Sequence, residues 1–312
     1  MRILLVADVP NWAFDRDASA VIQYLPQYQI SKTFTGAFHP RLLDKFDHVH
    51  FMNWLEGRSW APRISAGVSS HNFELLHLSD SKKFFPKYKA LVATSQILFD
   101  RVKSQNDHVF CAQGGVHEDM FVPLPKEPSD EFVVGWVGQK TSGGLNRSEA
   151  AKIDIKGYHL VLEPLMRLCK NDNIKFKTHS SNYKNATPYP KMPAFYTDVD
   201  CQICTSLAEG APNPMFEAAS CGKALISTRV GAISECIQEG VNGFLIDAYS
   251  KREELQDRIE KFREKILFLR DNRDICQKMG QESRRIVEAD WTWKKRVQRW
   301  IPLFEHIEKT KG

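Results

Sequence analysis

The amino-acid sequence predicts an α/β fold in which parallel sheets are covered by helices. Three observations predict it. Short β-branched runs alternate with helical segments, this alternation occurs in two series, and a stretch rich in proline and charge separates the series. With 312 residues the chain is long enough for two domains of ordinary size. We therefore predict two Rossmann-like α/β domains.

The first series begins at the first residues of the chain. The apolar run of "MRILLVADVPNW" is short and ends at Asp8 and Pro10, which indicates a strand and not a signal peptide. A helix is predicted at 96–105, with its apolar side chains on one face. The strands of this series are predicted at 2–7, 48–53, 64–70, 90–95 and 108–113.

The second series follows the predicted linker "PLPKEPSD" (123–130), which has no apolar periodicity. A helix is predicted from about 158 to 168, and the end of the chain is helical. The strands are predicted at 132–138, 174–180, 199–206, 223–228 and 243–247. This pattern places the first domain at 1–125 and the second at 126–290.

Composition excludes several classes of protein. No apolar stretch approaches the ~18 residues that span a bilayer. The net charge of +5 lies in residues 251–312 and is mild for a nucleic-acid binder, and the sequence has no helix-turn-helix, zinc-finger or RNP pattern. Neither predicted sheet carries a G-x-G-x-x-G motif after its first strand, and a P-loop is absent. The sequence therefore lacks the main motif that would indicate a dinucleotide-dependent oxidoreductase.

Cysteine usage indicates the compartment. The seven cysteines are scattered, odd in number and mostly within apolar runs, which favours buried thiols in a reducing cytosol. "CQIC" (201–204) has the spacing of a metal site but no second pair of ligands. We interpret its cysteines as strand residues.

The most informative stretch is "SLAEGAPNPMFEAASCGKALISTRVGAISE", a strand–loop–helix corner. Pro214 suits the first turn of the helix, Asn213 is the expected N-cap, and Gly222 the expected stop. The free N–H groups of such a helix start bind anions. Glu209 and Glu217 would then lie beside a phosphate. The alternative for the pair is structural, with Glu217 stabilising the helix dipole and Glu209 in solvent.

These residues resemble the E-x₇-E signature of retaining glycosyltransferases of family 4, which have the GT-B fold. The match runs from Glu209 through Pro212 and Glu217 to Gly231 and Glu235. Other pieces match in chain order: "VSSHNF" (68–73), "GGVHEDMF" (114–121), "DIKGYHLVLEPL" (154–165), "GVNGFLI" (240–246) and "DWTW" (290–293). The resemblance implies two domains facing a cleft, with a final helix of about 291–312 crossing back to the first domain.

The resemblance also implies roles for individual residues. Glu209 and His71 would be catalytic, both contacting the transferred sugar. Glu217 would bind the ribose hydroxyls of the donor and Lys156 its diphosphate. The remaining donor-binding residues would be Gly210, Ala211, Pro212, Asn213, Pro214, Gly138 and Lys140. Taken alone, His71 is as readily a structural histidine and Lys156 a surface lysine.

The sequence departs from the family pattern at two places. The loop after the first strand, "ADVPNWAFDRDA", has no glycine. The arginine that usually follows the glycine of "VG" is replaced by Gln139 and Lys140, and an insertion, "TSGGLNRSEAAKID", comes next. Lys140 and Arg147 are both candidates for the second cation, and the insertion is a candidate mobile lid.

The implied function is metal-independent, retaining transfer of a hexose from a nucleotide diphosphate sugar to a glycan or lipid-linked acceptor, in the synthesis of cell-surface polysaccharide or glycoconjugate. No cofactor is expected, since no D-x-D metal motif is evident. Two alternatives stay open: a non-hydrolysing nucleotide-sugar epimerase, and a catalytically silent protein that binds sugar nucleotides or glycans.

A segment of the first domain suggests a partner. In "SDSKKFFPKYK" (79–89) four lysines alternate with three aromatic residues. The segment is either a peripheral contact with the anionic inner face of the membrane or a short helix with a core phenylalanine and solvated lysines. We expect a cytoplasmic protein in both cases.

Overall fold

The computed structural model describes residues 1–69, 78–112, 114–127, 129–140, 154–180, 187–248 and 254–310. Its contacts divide the chain into two compact units. The first unit consists of Met1–Gly115, Glu209–Ala211 and Trp293–Gly312, and the second of Val116–Ala208 and Pro212–Thr292. Each unit is built around one parallel sheet, so the predicted fold class is confirmed.

The sheet of the first unit has six parallel strands in the order β2-β1-β3-β4-β5-β6. The strands are β1 (Arg2–Ala7), β2 (Gln29–Phe34), β3 (His48–Phe51), β4 (Ser65–Val68), β5 (Ala90–Ala93) and β6 (Val109–Cys111). The α-helices between them are α1 (Ala13–Tyr24), α2 (Leu42–Lys45), α3 (Trp54–Gly57), α4 (Leu78–Phe84) and α5 (Gln96–Val102).

Strand β1 shows why this sheet forms. Ile3 and Leu5 belong to the core on one face of the sheet, and Leu4 and Val6 to the core on the other. A strand buried on both faces needs a near-continuous apolar sequence, which is what "ILLVA" provides.

Strand β2 is missing from the prediction. Its sequence, "QISKTF", is polar and only partly buried, because it lies at the edge of the sheet. It pairs with β1 in register from Arg2 opposite Gln29 to Ala7 opposite Phe34. Pairing with a strong neighbour, not its own hydrophobicity, makes this segment a strand.

The sheet of the second unit has five parallel strands in the order β11-β10-β9-β7-β8. The strands are β7 (Phe132–Val137), β8 (Ile174–His179), β9 (Cys201–Cys204), β10 (Ala224–Thr228) and β11 (Gly243–Ile246). The α-helices are α6 (Glu163–Leu168), preceded by a π-helical turn at Tyr158–Leu162, α7 (Pro193–Thr197), α8 (Asn213–Ser220), α9 (Ile233–Cys236), α10 (Leu255–Asp271) and α11 (Arg273–Ile286).

Helix α10 packs on this sheet through a regular apolar stripe. Ile259, Phe262, Ile266 and Leu269 recur three or four residues apart, so they lie on one helical face. All four are buried in the same core as β7 and β9.

The final segment of the chain belongs to the first unit. It forms α12 (Trp293–Arg296), a 3₁₀ turn at Val297–Trp300 and α13 (Ile301–Lys309). Trp293, Val297 and Trp300 are buried in the core that also contains Ile3 and Leu5 of β1. The predicted return of the C-terminal helix to the first domain is confirmed.

The contacts divide the chain at Gly115–Val116, earlier than the predicted division at 125–126. The reason is that Phe121 is fully buried in the second unit. Its carbonyl oxygen accepts hydrogen bonds from Ser220 Oγ and Arg284 Nη1, each at 2.7 Å. The proline-rich stretch belongs to the second unit as well, where Lys126 Nζ lies 2.6 Å from Asp200 Oδ2.

In the part of the chain that the structure describes, no helix is both long and apolar enough to cross a membrane.

Candidate functional site

The corner between β9 and α8 lies at the carboxyl end of the central part of the second sheet. Strand β9 is fully buried between β7 and β10. Its continuation is held in place because Leu207 N donates to Ile155 O at 2.7 Å and Thr228 Oγ1 donates to Ser206 O at 2.6 Å. Ligands of open α/β sheets bind at such strand ends.

Helix α8 starts differently from the sequence prediction. Asn213 is the first helical residue and Pro212 the N-cap, with no side-chain cap hydrogen bond. The turn closes from Pro212, whose carbonyl oxygen accepts from Met215 N at 2.9 Å, and this draws Asn213 into the helix. Pro214 lies in the first turn as predicted. Because the N-cap residue Pro212 provides no side-chain cap hydrogen bond, this helix start has the character of an anion site.

Glu217 lies one turn into α8 and is buried, with 3% of its surface exposed. Its Oε2 accepts a hydrogen bond from the hydroxyl of Tyr196 at 2.7 Å. Burial, then the neighbouring Glu217 carboxylate, raises the pKa of Tyr196 well above its usual value. The phenol therefore stays a donor across the physiological pH range. The donor-binding role of Glu217 and the structural alternative both stay predictions.

Lys156 lies in a tight turn that is fixed to the end of β9. Its carbonyl oxygen accepts from Thr205 Oγ1 at 2.8 Å, and the same hydroxyl oxygen accepts from Trp136 Nε1 at 3.1 Å. Gly157 has a φ of 66°, and a Cβ there would come within 2.1 Å of Thr205 O. Glycine is thus required both by the left-handed backbone and by the close approach. The close approach of Gly157 to Thr205 places the "KG" pair beside the end of β9.

Asp154 caps the helix that follows this turn. Its carboxylate accepts from the backbone N–H groups of Tyr158 at 3.0 Å, and of His159 and Leu160 at 2.7 Å each. The positive end of that helix is therefore already compensated by a carboxylate. That helix start is therefore a less suitable anion site than the start of α8.

Gly138 and Lys140 lie at the end of β7, the strand beside β9. Gly138 N donates to His179 O at 3.0 Å, which ties the ends of β7 and β8 together. Lys140 is exposed, and its Nζ lies 4.6 Å from the centre of the Tyr158 ring. Lys140 is therefore close to the turn that carries Lys156, as a second cation would be.

Glu209, Gly210 and Ala211 group with the first unit, whereas Pro212 and Glu217 belong to the second. Glu209 is buried. A Cβ on Gly210 would lie 2.7 Å from Thr94 Oγ1 and 3.1 Å from Ser69 Cβ. These two residues follow β5 and β4 and belong, like Gly210, to the first unit.

Two predicted site residues lie outside the described residues. His71 lies in the range 70–77, and Arg147 of the predicted lid lies in the range 141–153. Their predicted roles stay predictions.

Sequence reasoning missed Tyr196, Asp154 and Thr205. Asp154 carries a local signal, since an aspartate shortly before a helix is a typical cap. Tyr196 and Thr205 carry none, because their partners, Glu217 and Lys156, are distant in sequence and meet them only in the folded sheet.

The cysteines of "CQIC" lie in β9 and are buried, as the strand interpretation predicts. All seven cysteines are free thiols. Within the described ranges no three or more His, Cys, Asp or Glu side chains cluster as a metal site.

Comparison with known proteins gives a family match to part of the chain. Residues 150–285, less than half of the chain, match the family model Glycosyl transferases group 1. The uncharacterized glycosyltransferase MJ1069 of Methanocaldococcus jannaschii is 23% identical over 154 residues, which is 49% of this chain and 36% of that protein. The match therefore spans about a third of the curated relative's length.

Solved structures match over nearly the whole chain. A glycosyltransferase from Rickettsia africae ESF-5 is 16% identical and covers 99% of both chains, with a TM-score of 0.65. Anabaena Alr3699/HepE, solved with UDP and with UDP-glucose, is 13% identical and covers 98% of this chain and 100% of its own; the TM-score of the UDP complex is 0.67. At these identities the likeness shows the fold, and the prediction of GT-B architecture is confirmed at that level.

Proposed function

We propose that this protein is a retaining glycosyltransferase that moves a hexose from a nucleotide diphosphate sugar to a glycan or lipid-linked acceptor. One observation carries the proposal. The segment that matches the glycosyltransferase family model contains, at one sheet edge, the Lys156 turn, the uncapped start of α8 and the buried Glu217. These are the groups that a diphosphate and a ribose need.

Donor binding follows from the chemistry of these groups. Lys156 and the backbone N–H groups near Pro214 suit the two phosphates, and Lys140 at the neighbouring strand end suits the same charge. Glu217 suits the ribose, because a carboxylate accepts hydrogen bonds from hydroxyls. Gly138 and the backbone from Gly210 to Asn213 complete the proposed donor contacts.

The transfer step needs stabilisation of two charges. The bond between the anomeric carbon and the diphosphate oxygen breaks, and the acceptor oxygen bonds to the same face of the sugar. The acceptor proton passes to the leaving diphosphate. Lys156 and the start of α8 stabilise the diphosphate without a metal ion. Glu209 and His71 are proposed to contact the sugar as positive charge develops on its ring.

A uridine donor is the first to test, because Alr3699/HepE was solved with UDP and UDP-glucose. Thermal unfolding is measured with UDP-, GDP- and ADP-sugars, since a ligand of the folded state raises Tm by mass action. For the donor that binds, NMR of the first product identifies its anomeric configuration. A retained anomer supports the proposal and an inverted anomer contradicts it.

The same experiment separates the alternatives. Conversion of the donor sugar to an epimer, with no transfer and no diphosphate released, identifies the epimerase. Donor binding with neither transfer nor hydrolysis over long incubation identifies a binding protein. Absence of a Tm shift with every donor overturns the proposed donor site.

We also propose that the first unit contacts an anionic membrane surface, in a protein that works in the cytoplasm, to which its seven free thiols are suited. Lys82, Lys83, Lys87 and Lys89 are all exposed. Phe85 and Tyr88 are buried, and the half-buried Phe84 ring lies 5.4 Å from Lys83 Nζ and 5.5 Å from Lys87 Nζ. The aromatic residues thus serve the core, and the proposed contact is electrostatic.

Vesicle binding tests this contact. Each lysine near acidic lipid contributes about 1 kcal/mol, so we expect binding to phosphatidylserine vesicles that weakens with salt, and none to phosphatidylcholine vesicles. Replacing the four lysines with glutamine should abolish binding and leave donor hydrolysis unchanged. If the wild-type protein ignores acidic vesicles at low salt, the lysines form only a solvated face.

A further inference from the structure

Tyr196 is a buried side chain that is hydrogen-bonded to the carboxylate of Glu217. It lies in α7, which has no place in the sequence motif that contains Glu217. Its hydroxyl nevertheless donates to Glu217 Oε2 at 2.7 Å, and both side chains are buried. A hydrogen bond between a phenol and a carboxylate in such surroundings is strong, since no water competes for either group.

The ring of Tyr196 is itself held in place. It meets the Phe195 ring edge-on, with centroids 5.2 Å apart, and the Phe121 ring at 6.1 Å. The carbonyl oxygen of Phe121 accepts from Ser220 Oγ in α8. The tyrosine therefore approaches α8 from a packed aromatic cluster, and its hydroxyl has little freedom to leave Glu217.

A carboxylate can accept about four hydrogen bonds, so the bond from Tyr196 does not by itself prevent Glu217 from accepting another from a ligand hydroxyl. Without the tyrosine, the Glu217 side chain would lose the contact that holds one oxygen in position. A binding group that must be ordered by its ligand binds more weakly than one that is ordered in advance.

We propose that Tyr196 is a positioning residue that orients Glu217 toward the ribose hydroxyls of a nucleoside diphosphate. This inference rests on the proposed function of the same site. It assigns Tyr196 no contact with the ligand, and it makes recognition of the ribose dependent on a residue outside the E-x₇-E motif.

The test compares two nucleotides with one variant. Calorimetry measures the Kd of UDP, GDP or ADP, whichever binds the wild-type protein, and of the 2′,3′-dideoxy form of the same nucleotide. For Tyr196→Phe we expect the ribonucleotide to bind about tenfold more weakly, the scale of one lost hydrogen bond to a charged group. The dideoxy form should bind the variant and the wild type equally.

Tyr88→Phe is the matched control. Tyr88 is also buried, and its hydroxyl donates to Trp54 O at 2.5 Å in the first unit. Its replacement removes a buried tyrosine hydrogen bond at a site with no proposed nucleotide contact. Tm of both variants measures their stability, and Tyr88→Phe should leave both nucleotide affinities unchanged.

The outcomes are distinct. Unchanged affinity of Tyr196→Phe for the ribonucleotide overturns the inference and leaves the proposed function intact. Equal weakening of both nucleotides also overturns it, because the damage would then not concern the ribose. If the wild-type protein binds none of the three nucleoside diphosphates, the proposed function fails and the inference fails with it.

Discussion

At the scale of single residues, the residues proposed to bind the donor differ from the residues that position them. Glu217 and Lys156 carry the proposed donor chemistry, whereas Tyr196 and Thr205 fix them by hydrogen bonds of 2.7 and 2.8 Å. Tyr196 and Thr205 stand out less in the sequence, yet their hydrogen bonds help to determine where Glu217 and Lys156 lie.

Replacing Glu217 by glutamine should weaken nucleotide binding and preserve the fold. The amide oxygen still accepts from Tyr196, so the buried hydroxyl keeps a partner. The charged hydrogen bond to the ribose is lost, which costs about 1.5–3 kcal/mol, or roughly ten- to a hundredfold in Kd. Calorimetry with the bound nucleotide measures it. The control is Glu163→Gln, which replaces a half-buried carboxylate paired with His159. Equal affinities for all three proteins would remove Glu217 from the donor site.

Two buried histidines of the first unit share one serine. His48 Nε2 lies 2.6 Å and His50 Nδ1 2.7 Å from Ser65 Oγ. The ring of His50 also meets that of Trp300 edge-on at 5.1 Å. Burial, and then the charge of His48, lower the pKa of His50 well below its usual value, so the imidazole is neutral in the folded protein.

His50 should contribute a loss of stability at acid pH. Unfolded His50 binds a proton below about pH 6.5, whereas folded His50 does not. Its contribution is therefore constant above that pH, and stability is lost as the pH falls below it, by about 1.4 kcal/mol per pH unit. Asp17 acts in the opposite direction in this range. Burial raises its pKa to about 7, so the folded state takes up a proton first and stability rises as the pH falls.

A variant isolates the histidine from the aspartate. Urea unfolding at pH 7.5, 6.5 and 5.5 should show that His50→Gln loses less stability on acidification than the wild type, whatever its stability at pH 7.5. Asp17 is present in both proteins, so its contribution cancels. Parallel loss in the two proteins would exclude His50 as the titrating group.

At the scale of elements, the turn from Asp154 to Gly157 joins a helix to the end of a strand. Asp154 compensates the helix start, and the backbone of Lys156 and Gly157 lies against Thr205. In the "KG" pair, Gly157 therefore matters for packing as much as Lys156 does for charge. The glycine permits the approach that brings the lysine to the corner.

Gly157→Ala should therefore be destabilising, and Gly240→Ala less so. Both glycines have a left-handed backbone, with φ of 66° and 73°. Only the Cβ at 157 meets backbone, at 2.1 Å from Thr205 O, whereas nothing lies within 4 Å of the one at 240. The conformational cost of about 1–2 kcal/mol is common to both, and overpacking adds about 1–3 kcal/mol at 157. Chemical unfolding measures the difference. Equal losses would show that the close approach relaxes freely.

At the scale of the whole molecule, two parallel sheets divide the chain between them. The second unit contains Lys156, Glu217 and the start of α8, which belong to the proposed donor site, and the first unit contains the chain's beginning, its last helices and the loop tip from Glu209 to Ala211. One loop thus contributes residues to both units, and the E-x₇-E pair is divided between them.

Activity should survive removal of divalent metal ions. The proposed diphosphate site relies on Lys156 and the start of α8, and the sequence has no evident D-x-D motif. Donor hydrolysis in excess EDTA should equal that with Mg²⁺. Lys156→Ala should lower donor affinity equally under both conditions. Complete loss on chelation, restored by Mg²⁺ or Mn²⁺, would show that a metal neutralises the diphosphate.

The sequence by itself determined ten of the strands, because most are short apolar runs bounded by polar or turn residues, and β8 ("IKFKTH") begins with alternating apolar and polar residues. It also determined the corner that contains Glu217, since Pro214 and the small residues of α8 are local signals of a helix start that packs on a sheet.

Only the tertiary structure decided the rest. Strand β2 exists because it pairs with β1. The stretch around Phe121 belongs to the second unit because Arg284 and Ser220 bind its carbonyl oxygen. The partnership of Tyr196 with Glu217 joins two helices whose residues lie 21 positions apart in sequence. Local patterns report the burial and backbone preference of each segment, whereas hydrogen bonds between distant residues form only once the sheet has brought them together.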